Sequence, residues 1–478
     1  MGDPREKVNV FVCLLLASVL PESKAIDADV EEARKFWRVP GLAVVVVAGE
    51  HVYVKGYGVR KHGEPAPVTP DTLFSFASCS KGLTVLALAD LVAEKKLDWD
   101  DRVNKHLKEF TLADPLAARE VTLRDLLTHR TGLAGHELLW YRSPFSPLEA
   151  VQAAGKLPLL HPFRSTFHYQ NTMYTAAGLA AAAADGRSWS EMIRARVLKP
   201  LQMSGTMLDT PSAEKTGRLA ATHELDEEEL VRPKAPFRWV EPNPAGSVYL
   251  GANDLSKWLK FQLSKDDRLK EIHTPQIVLR DAEFDSLIFP HTVQRTYGLG
   301  WVIYDHRGEK ILAHGGALDG FRCHVALAPK KKLAVGVLAN LDQTPACAAL
   351  CARLLDRLLQ REPEDWNSRF NTLLQRIRQS RRELFESELA KAQRGKPLPP
   401  EPYAGEYRHE VYGVARIRVK ESEVRFRWRE EEGRLQPLGA GTFLFRGDTL
   451  GLSIVTFCER RSFTISTIPG VVFQRGAP

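Results

Sequence analysis

The run Leu42–Ala48 reads LAVVVVA, and its texture does not return until a strand-rich zone between Tyr297 and Asn340. A continuous β-branched run suits a strand covered on both faces, in a sheet packed between helices. Gly49-Glu50 is a tight turn, and Val52–Val59 is the partner strand of a hairpin. From Val30 to Trp37 the pattern is that of an amphipathic helix, and from about Asp71 to Pro200 it is again helical, with Gly and Pro punctuation. Ala180–Ala184 followed by Asp185-Gly186 reads as helix and C-cap. The segments YGLGWVIY, KILAHGG, FRCHVALAP and LAVGVLAN then revert to strands, and Thr344–Leu359 closes the zone as a helix. Strands at both ends with helices between predict an α+β fold. It is an antiparallel sheet flanked by helices, with an inserted helical subdomain and a cleft between them.

At 478 residues the chain exceeds one ordinary core. Trp366–Arg394 mixes charge signs as a solvated connecting helix does, and Gly395–Pro402 (GKPLPPEP) is a linker by composition. Beyond it, ARIRVK, EVRFRW, TFLFRG, TLGLSIVTF and SFTIS alternate with Gly turns, predicting a small antiparallel β-barrel. Glu430-Glu431-Glu432 reads as a solvated hairpin tip. At the other end, Val8–Leu20 is a short apolar run after Arg5 and Lys7, followed by Ser23-Lys24-Ala25 with small residues where a signal peptidase cuts. The expected organisation is a signal peptide at 1–25, the α+β domain at 26–362, a helix and linker at 363–402 and a β domain at 403–478. Export to the periplasm or outside the cell follows from that reading.

Composition narrows the function. A net charge of +7 from 66 Lys and Arg against 59 Asp and Glu is a mild, dispersed excess, and no basic patch interleaves with aromatics, so nucleic acid is not an expected partner. No segment after the N-terminal run is long and apolar enough to span a bilayer. The six Cys form no CxxC, no zinc spacing and no disulfide framework, with Cys347 and Cys351 read as core. His136-Glu137 is followed by Trp140 where a second zinc ligand would be needed.

Three short motifs carry chemistry. Ser78-Cys79-Ser80-Lys81 is a Ser-x-x-Lys opening the apolar helix LTVLALADLVA. This spacing puts both side chains on one helix face, where a neutral amine takes the hydroxyl proton. Ser212–Lys215 has the same pattern in a polar surface stretch, so the motif alone is an ordinary helix start. Tyr169-Gln170-Asn171 supplies a phenol and an amide, and alone is an ordinary loop. His314-Gly315-Gly316-Ala317 ends a strand. Its glycines let a ligand backbone approach, and the Ala317 N–H suits an oxyanion. Cys79 is expected to pack rather than line the cleft.

Their order and spacing resemble the serine β-lactamase and penicillin-binding-protein superfamily. The likeness is closest to class C β-lactamase-like serine hydrolases: esterases, D-aminopeptidases and D,D-peptidases. VPGLAVVVV and VYVKGYGVR, VTLRDLLTHRTGL, PAGSVYLGANDLSKW, YGLGW and HGGALDGF add to it, over about Asp27 to Leu359. The tail resembles the lipocalin-like domain of some of these enzymes. The resemblance implies Ser78 as nucleophile, Lys81 as its activating partner and Tyr169 as general base and acid. It implies Asn171, His314 and Gly316 as substrate-binding residues, and Ser78 and Ala317 as oxyanion-hole donors. No metal or cofactor is implied. The expected activity is acyl transfer to Ser78 and hydrolysis, on small esters or D-residue peptides. The alternatives are a β-lactamase or D,D-carboxypeptidase, or a silent peptidoglycan-binding pseudoenzyme. The expected partners are a small-molecule or peptide substrate and, through the C-terminal domain, a second copy of the chain. His129, in THRTGL, is expected to be structural. The third motif departs from the family's Lys: His314 is mostly neutral near pH 7, with acidification expected to charge it, and Arg322 either compensates or caps a strand edge.

Overall fold

The computed structural model describes residues 23–280, 287–290, 292–362, 364–421, 423–459 and 461–476. Val8–Leu20 lies outside them, and Ser23–Ala25 form the first turn of a helix. The chain divides into two compact units, Met1–Trp140 with Phe145–Leu373, and Tyr141–Pro144 with Leu374–Pro478. Among the described residues no helix is long and apolar enough to cross a membrane.

In the first unit, β1 (Gly41–Ala48) and β2 (His51–Gly58) form the expected hairpin. Six strands from much later complete the sheet: β3 (Ile277–Val278), β4 (Arg295–Tyr297), β5 (Val302–His306), β6 (Glu309–Leu318), β7 (Phe321–Ala328) and β8 (Leu333–Ala339). The order is β2-β1-β8-β7-β6-β5-β4-β3, antiparallel throughout. Every residue of β1 is buried because helices cover both faces. On one face Gly336 of β8 lies under Leu255 of a helix at Ala252–Gln262, so close that a Cβ there would sit 2.7 Å from the leucine Cδ2. On the other, Cys351 of the helix Ala346–Leu358 donates to the β7 carbonyl of His324. The first helix, α1 (Ser23–Phe36), is pinned there by its buried Asp29, which accepts from Arg353 and Arg357.

The segment YGLGWVIY is not one continuous strand. β4 ends at Tyr297 and β5 starts at Val302, because Gly300 turns the chain at a φ of +80°. The β5–β6 pairing stops at Val302↔Ala313, whereas β6–β7 continues to Leu318↔Phe321. The stretch His314–Leu318 therefore keeps one edge without a strand partner among the described residues. The helical subdomain is inserted between β2 and β3, and contributes α2 (Lys81–Ala93) and α3 (Asn171–Asp185) to the site. Gly186 caps α3 in the left-handed conformation, as the Ala-Asp-Gly pattern predicts.

In the second unit, eight strands close into an antiparallel barrel, each paired with the next and the last with the first: Gly405–His409, Gly413–Lys420, Glu423–Trp428, Glu431–Gly439, Thr442–Gly447, Gly451–Cys458, Ser462–Ile465 and Val472–Arg475. Period-2 alternation places one face of each strand inside. Phe463 is fully buried there, stacked on Phe473 at 4.9 Å and meeting Tyr407 at 5.0 Å and Phe457 at 5.4 Å. Glu431 is not a solvated tip. It is buried at the start of its strand and accepts the Thr449 N–H at 2.8 Å. The connecting helix runs Trp366–Ala392.

Phe463→Ala empties the centre of this aromatic cluster. It is expected to lower the barrel's stability by about 3–5 kcal/mol, read as an earlier loss of barrel tryptophan signal in urea. A shift below about 1 kcal/mol would mean the barrel is not held by this core.

Candidate active site

The turn Ala77–Ser80 precedes α2 and presents Ser78 half-buried, while Lys81, the first residue of α2, is fully buried. Ala77 has a φ of +41°, a conformation that costs an L-residue energy and persists only where its surroundings enforce it. Here they do. Phe76 donates its N–H to Val248 O at 2.8 Å, and Cys323 Sγ donates to Phe76 O at 3.2 Å. Gly316 of β6 presses from the sheet side: a Cβ there would lie 2.3 Å from Cys323 Sγ and 2.7 Å from Phe76 O. Gly316 thus sits against the Ala77–Ser80 turn, with the exposed Ala317 next along the strand. Cys79 is buried, its Sγ donating to His314 O at 3.2 Å and lying 3.5 Å from Cys323 Sγ. It packs.

Lys81 Nζ reaches three acceptors: Asn171 Oδ1 at 2.7 Å, Ala245 O at 2.9 Å and Ser78 Oγ at 3.3 Å. Burial disfavours its charged form and lowers its pKa from 10.5 to about 7, against a weaker upward pull from Glu137. Asn171 opens α3, and its Nδ2 donates to Glu137 Oε2 at 2.9 Å. The Asn171 amide is thus engaged on both sides by protein. Sequence reasoning missed Glu137 as a site residue. It missed the Ala245 carbonyl too, although that residue lies within PAGSVYLG.

Tyr169 lies beside them, its ring 4.8 Å from Lys81 Nζ. Its hydroxyl is buried and forms no hydrogen bond. Ser78 is the side chain placed to bond it, without the alignment of a formed bond, and burial carries the phenol pKa well above 10. His129 holds this residue in place: His168 N donates to His129 O at 2.8 Å and Gln170 N to His129 Nδ1 at 3.0 Å, bracketing Tyr169. The His129 ring packs 4.3 Å from that of Tyr169, and burial keeps it neutral. Upstream, the buried Asp125 accepts from Arg130 and Arg164, tying down the segment that leads to Tyr169.

His314 is buried, and its partners define its tautomer. Nδ1 lies 2.7 Å from Gly315 O, which can only accept, so Nδ1 carries the proton and Nε2 accepts from Tyr297 OH at 3.1 Å. Burial lowers its pKa to about 3, so the acid switch expected from the unperturbed imidazole is moved below the working range. Arg322 does not compensate. It pairs with Asp342 at 2.6 Å and donates to Leu318 O and Phe321 O, capping the β6–β7 hairpin. Ser212 is a helix start bonded to Asp209, remote in role from this cluster. A cleft of about 580 Å³ adjoins Tyr169, Tyr297, His314 and Gly315, with Arg164 and Arg280 also in its lining.

Residues 26–360 match the protein family described as Beta-lactamase. The chain is 28% identical over 419 residues to the unguisins hydrolase ungD' of Aspergillus campestris, covering 81% of this chain and 77% of that one. It is 27% identical over 321 residues to protein flp of Staphylococcus aureus strain MW2, covering 66% and 63%. Among solved structures it resembles the octameric penicillin-binding protein homologue from Pyrococcus abyssi, with a TM-score of 0.63, 21% identity, and 95% and 100% of the two chains covered.

The depressed Lys81 pKa makes a stability statement with a definite sign. Between about pH 7 and 10.5 the unfolded chain holds a proton that the folded amine has released, so wild-type stability rises with pH over that window. Lys81→Met removes this dependence. Its stability relative to wild type, from urea midpoints, should be greater at pH 6 than at pH 9 by about 3 kcal/mol. An equal difference at both pH values would show that Lys81 keeps an ordinary pKa.

Proposed function

The chain belongs to the beta-lactamase family, and from that premise we propose that it is a serine hydrolase forming an acyl-enzyme on Ser78. Its proposed substrates are small esters or D-residue peptides. The observation that carries the reading is the 3.3 Å contact from a buried, half-neutral Lys81 amine to Ser78 Oγ. A general base works best with a pKa near the operating pH, and Lys81 is the site group that has one. Tyr169, held as a phenol, is a proton donor. The proposed sequence is therefore attack of Ser78 Oγ on the substrate carbonyl with its proton passing to Lys81. Tyr169 then protonates the departing group and recovers a proton from Lys81. Water repeats the exchange in reverse and frees Ser78. The backbone N–H groups of Ser78 and Ala317 are assigned to the developing oxyanion, since Gly316 brings this strand against the nucleophile turn.

Neutral His314, its one N–H engaged by Gly315 O, brings no charge and no free donor to a substrate carboxylate, which favours esters and amides over β-lactams. The hydrolase name of the Aspergillus relative agrees with turnover rather than silent binding.

Ser78→Ala should abolish fluorophosphonate labelling and ester turnover while the circular dichroism spectrum is kept, and Ser212→Ala should change neither. Labelling that survives Ser78→Ala would overturn the assignment. Because His314 stays neutral until about pH 3, the ratio of kcat/KM for an anionic substrate to that for its neutral analogue should be flat from about pH 5 to 8, once ionisation of the substrates is corrected. A rise of that ratio through pH 6 would show that His314 takes a proton in the working range.

A further inference from the structure

Two thiols meet behind Ser78 that the proposed chemistry does not use. Cys79 follows Ser78 in the Ala77–Ser80 turn, and Cys323 lies on β7. Both are free and buried, and their sulfur atoms stand 3.5 Å apart. The backbone around them fixes where each one lies. Cys79 Sγ donates to His314 O at 3.2 Å, and Cys323 Sγ reaches Phe76 O at 3.2 Å. Gly316 is what admits the second sulfur to this place, since a Cβ there would lie 2.3 Å from it.

Cys347 and Cys351 approach β7 from the helix Ala346–Leu358, but their thiols donate elsewhere, to Arg322 O and His324 O at 3.4 Å each. Among the described residues, Cys79 and Cys323 are the one pair of thiols in direct contact. Burial raises the Cys323 pKa, which keeps that sulfur a thiol until it has an electrophile beside it. Cys79 adjoins the half-buried Ser78. Lys81 is near enough for charge on the Cys79 sulfur to raise the lysine pKa, so a thiolate there has a cation at hand.

We propose that Cys79 and Cys323 form a modification site, a thiol pair that a peroxide converts to a disulfide, and that the closed bond disables Ser78. The disabling rests on the Ser78 acylation reading, whereas formation of the bond does not. The Cys79 sulfur attacks the O–O bond and becomes a sulfenic acid as one water leaves. The Cys323 sulfur then displaces that hydroxyl, which departs with the Cys323 proton as a second water. The two thiols together lose two hydrogens and two electrons, and the peroxide is reduced to two waters.

A disulfide holds its sulfur atoms about 2.05 Å apart, so closing the pair draws the turn and β7 together by roughly 1.5 Å. The link also removes both thiol donors, to His314 O and to Phe76 O. Ser78 shares its turn with Cys79, and a shift of about 1 Å at a reacting group costs on the order of a hundredfold in rate.

The test treats the full reduced chain with hydrogen peroxide, blocks the remaining thiols in urea and maps the peptides by mass. A Cys79–Cys323 pair lighter by two hydrogens is expected. Fluorophosphonate labelling of Ser78 should slow by about tenfold or more, in step with the linked fraction, and recover with dithiothreitol. Cys323→Ala should form no such link. The site is overturned if Cys79 and Cys323 both stay blockable after the exposed Cys458 has been oxidised. A link from Cys323 to Cys347, or oxidation that stops at a sulfinic acid, overturns it as well. Linked protein that labels at an undiminished rate, or a Cys323→Ala protein that loses its rate as fast as wild type, overturns the disabling and leaves the Ser78 reading standing. If the reduced chain takes no probe, the Ser78 reading fails and the peptide map alone decides the site.

Discussion

A fully buried lysine amine with three acceptors from three separate segments is the constraint on which this molecule turns. Moving Lys81 from a pKa of 10.5 to about 7 corresponds to roughly 5 kcal/mol in favour of the neutral amine. Such a group is tolerated only where its surroundings are held rigidly. Ser78 comes from its own helix turn, Asn171 from the start of α3, and Ala245 from the segment that also bonds Phe76, just before that turn, through Val248. The inserted helical subdomain is the scaffold for these acceptors, and the sheet is the anvil against which the Ala77–Ser80 turn is pressed. Gly316 and the left-handed Ala77 are two sides of one close contact: strain at the turn persists because β6 leaves it no room to relax.

Much of the fold was legible because it rests on local pattern. LAVVVVA reads as a doubly covered strand, and the return of that texture after Tyr297 shows that the sheet closes over the helical insertion. The misread elements were those in which tertiary packing overrides pattern. Gly300 breaks YGLGW at a position that looks like strand, and Glu431 is buried although its neighbours Glu430 and Glu432 are the usual mark of solvent. Three barrel strands, Gly405–His409, Glu431–Gly439 and Val472–Arg475, escaped notice because their alternation is interrupted by charge or is very short.

The site was legible as residue types and not as environments. Ser78, Lys81, Tyr169, Asn171, His314 and Gly316 are brought together in one region, but what each does there depends on burial, which no motif encodes. His314 looked like a titrating group and is a neutral link between Tyr297 and the strand backbone. Gly316, expected as a substrate contact, also sits against the Ala77–Ser80 turn. Ala245 contributes a backbone carbonyl, which has no residue-type signature, and Glu137 is a lone acid in a loop without a motif. Only the folded chain shows that Asn171 links Glu137 to Lys81.

Those environments also account for the protons. His129 and His314 are neutral because burial forbids their charge, and Tyr169 remains a phenol for the same reason acting on an acid. Of these groups, Lys81 alone is balanced near neutrality. Desolvation that would be a defect in an ordinary lysine here leaves the Lys81 amine able to take a proton from Ser78, the step the proposed acylation needs. Glu137, joined to Lys81 only through the Asn171 amide, moderates this balance without forming an ion pair that would keep the amine charged. A direct carboxylate contact would raise the Lys81 pKa and keep the amine charged. The intervening amide therefore lets one loop carry negative charge close to the amine while the amine keeps its lowered pKa.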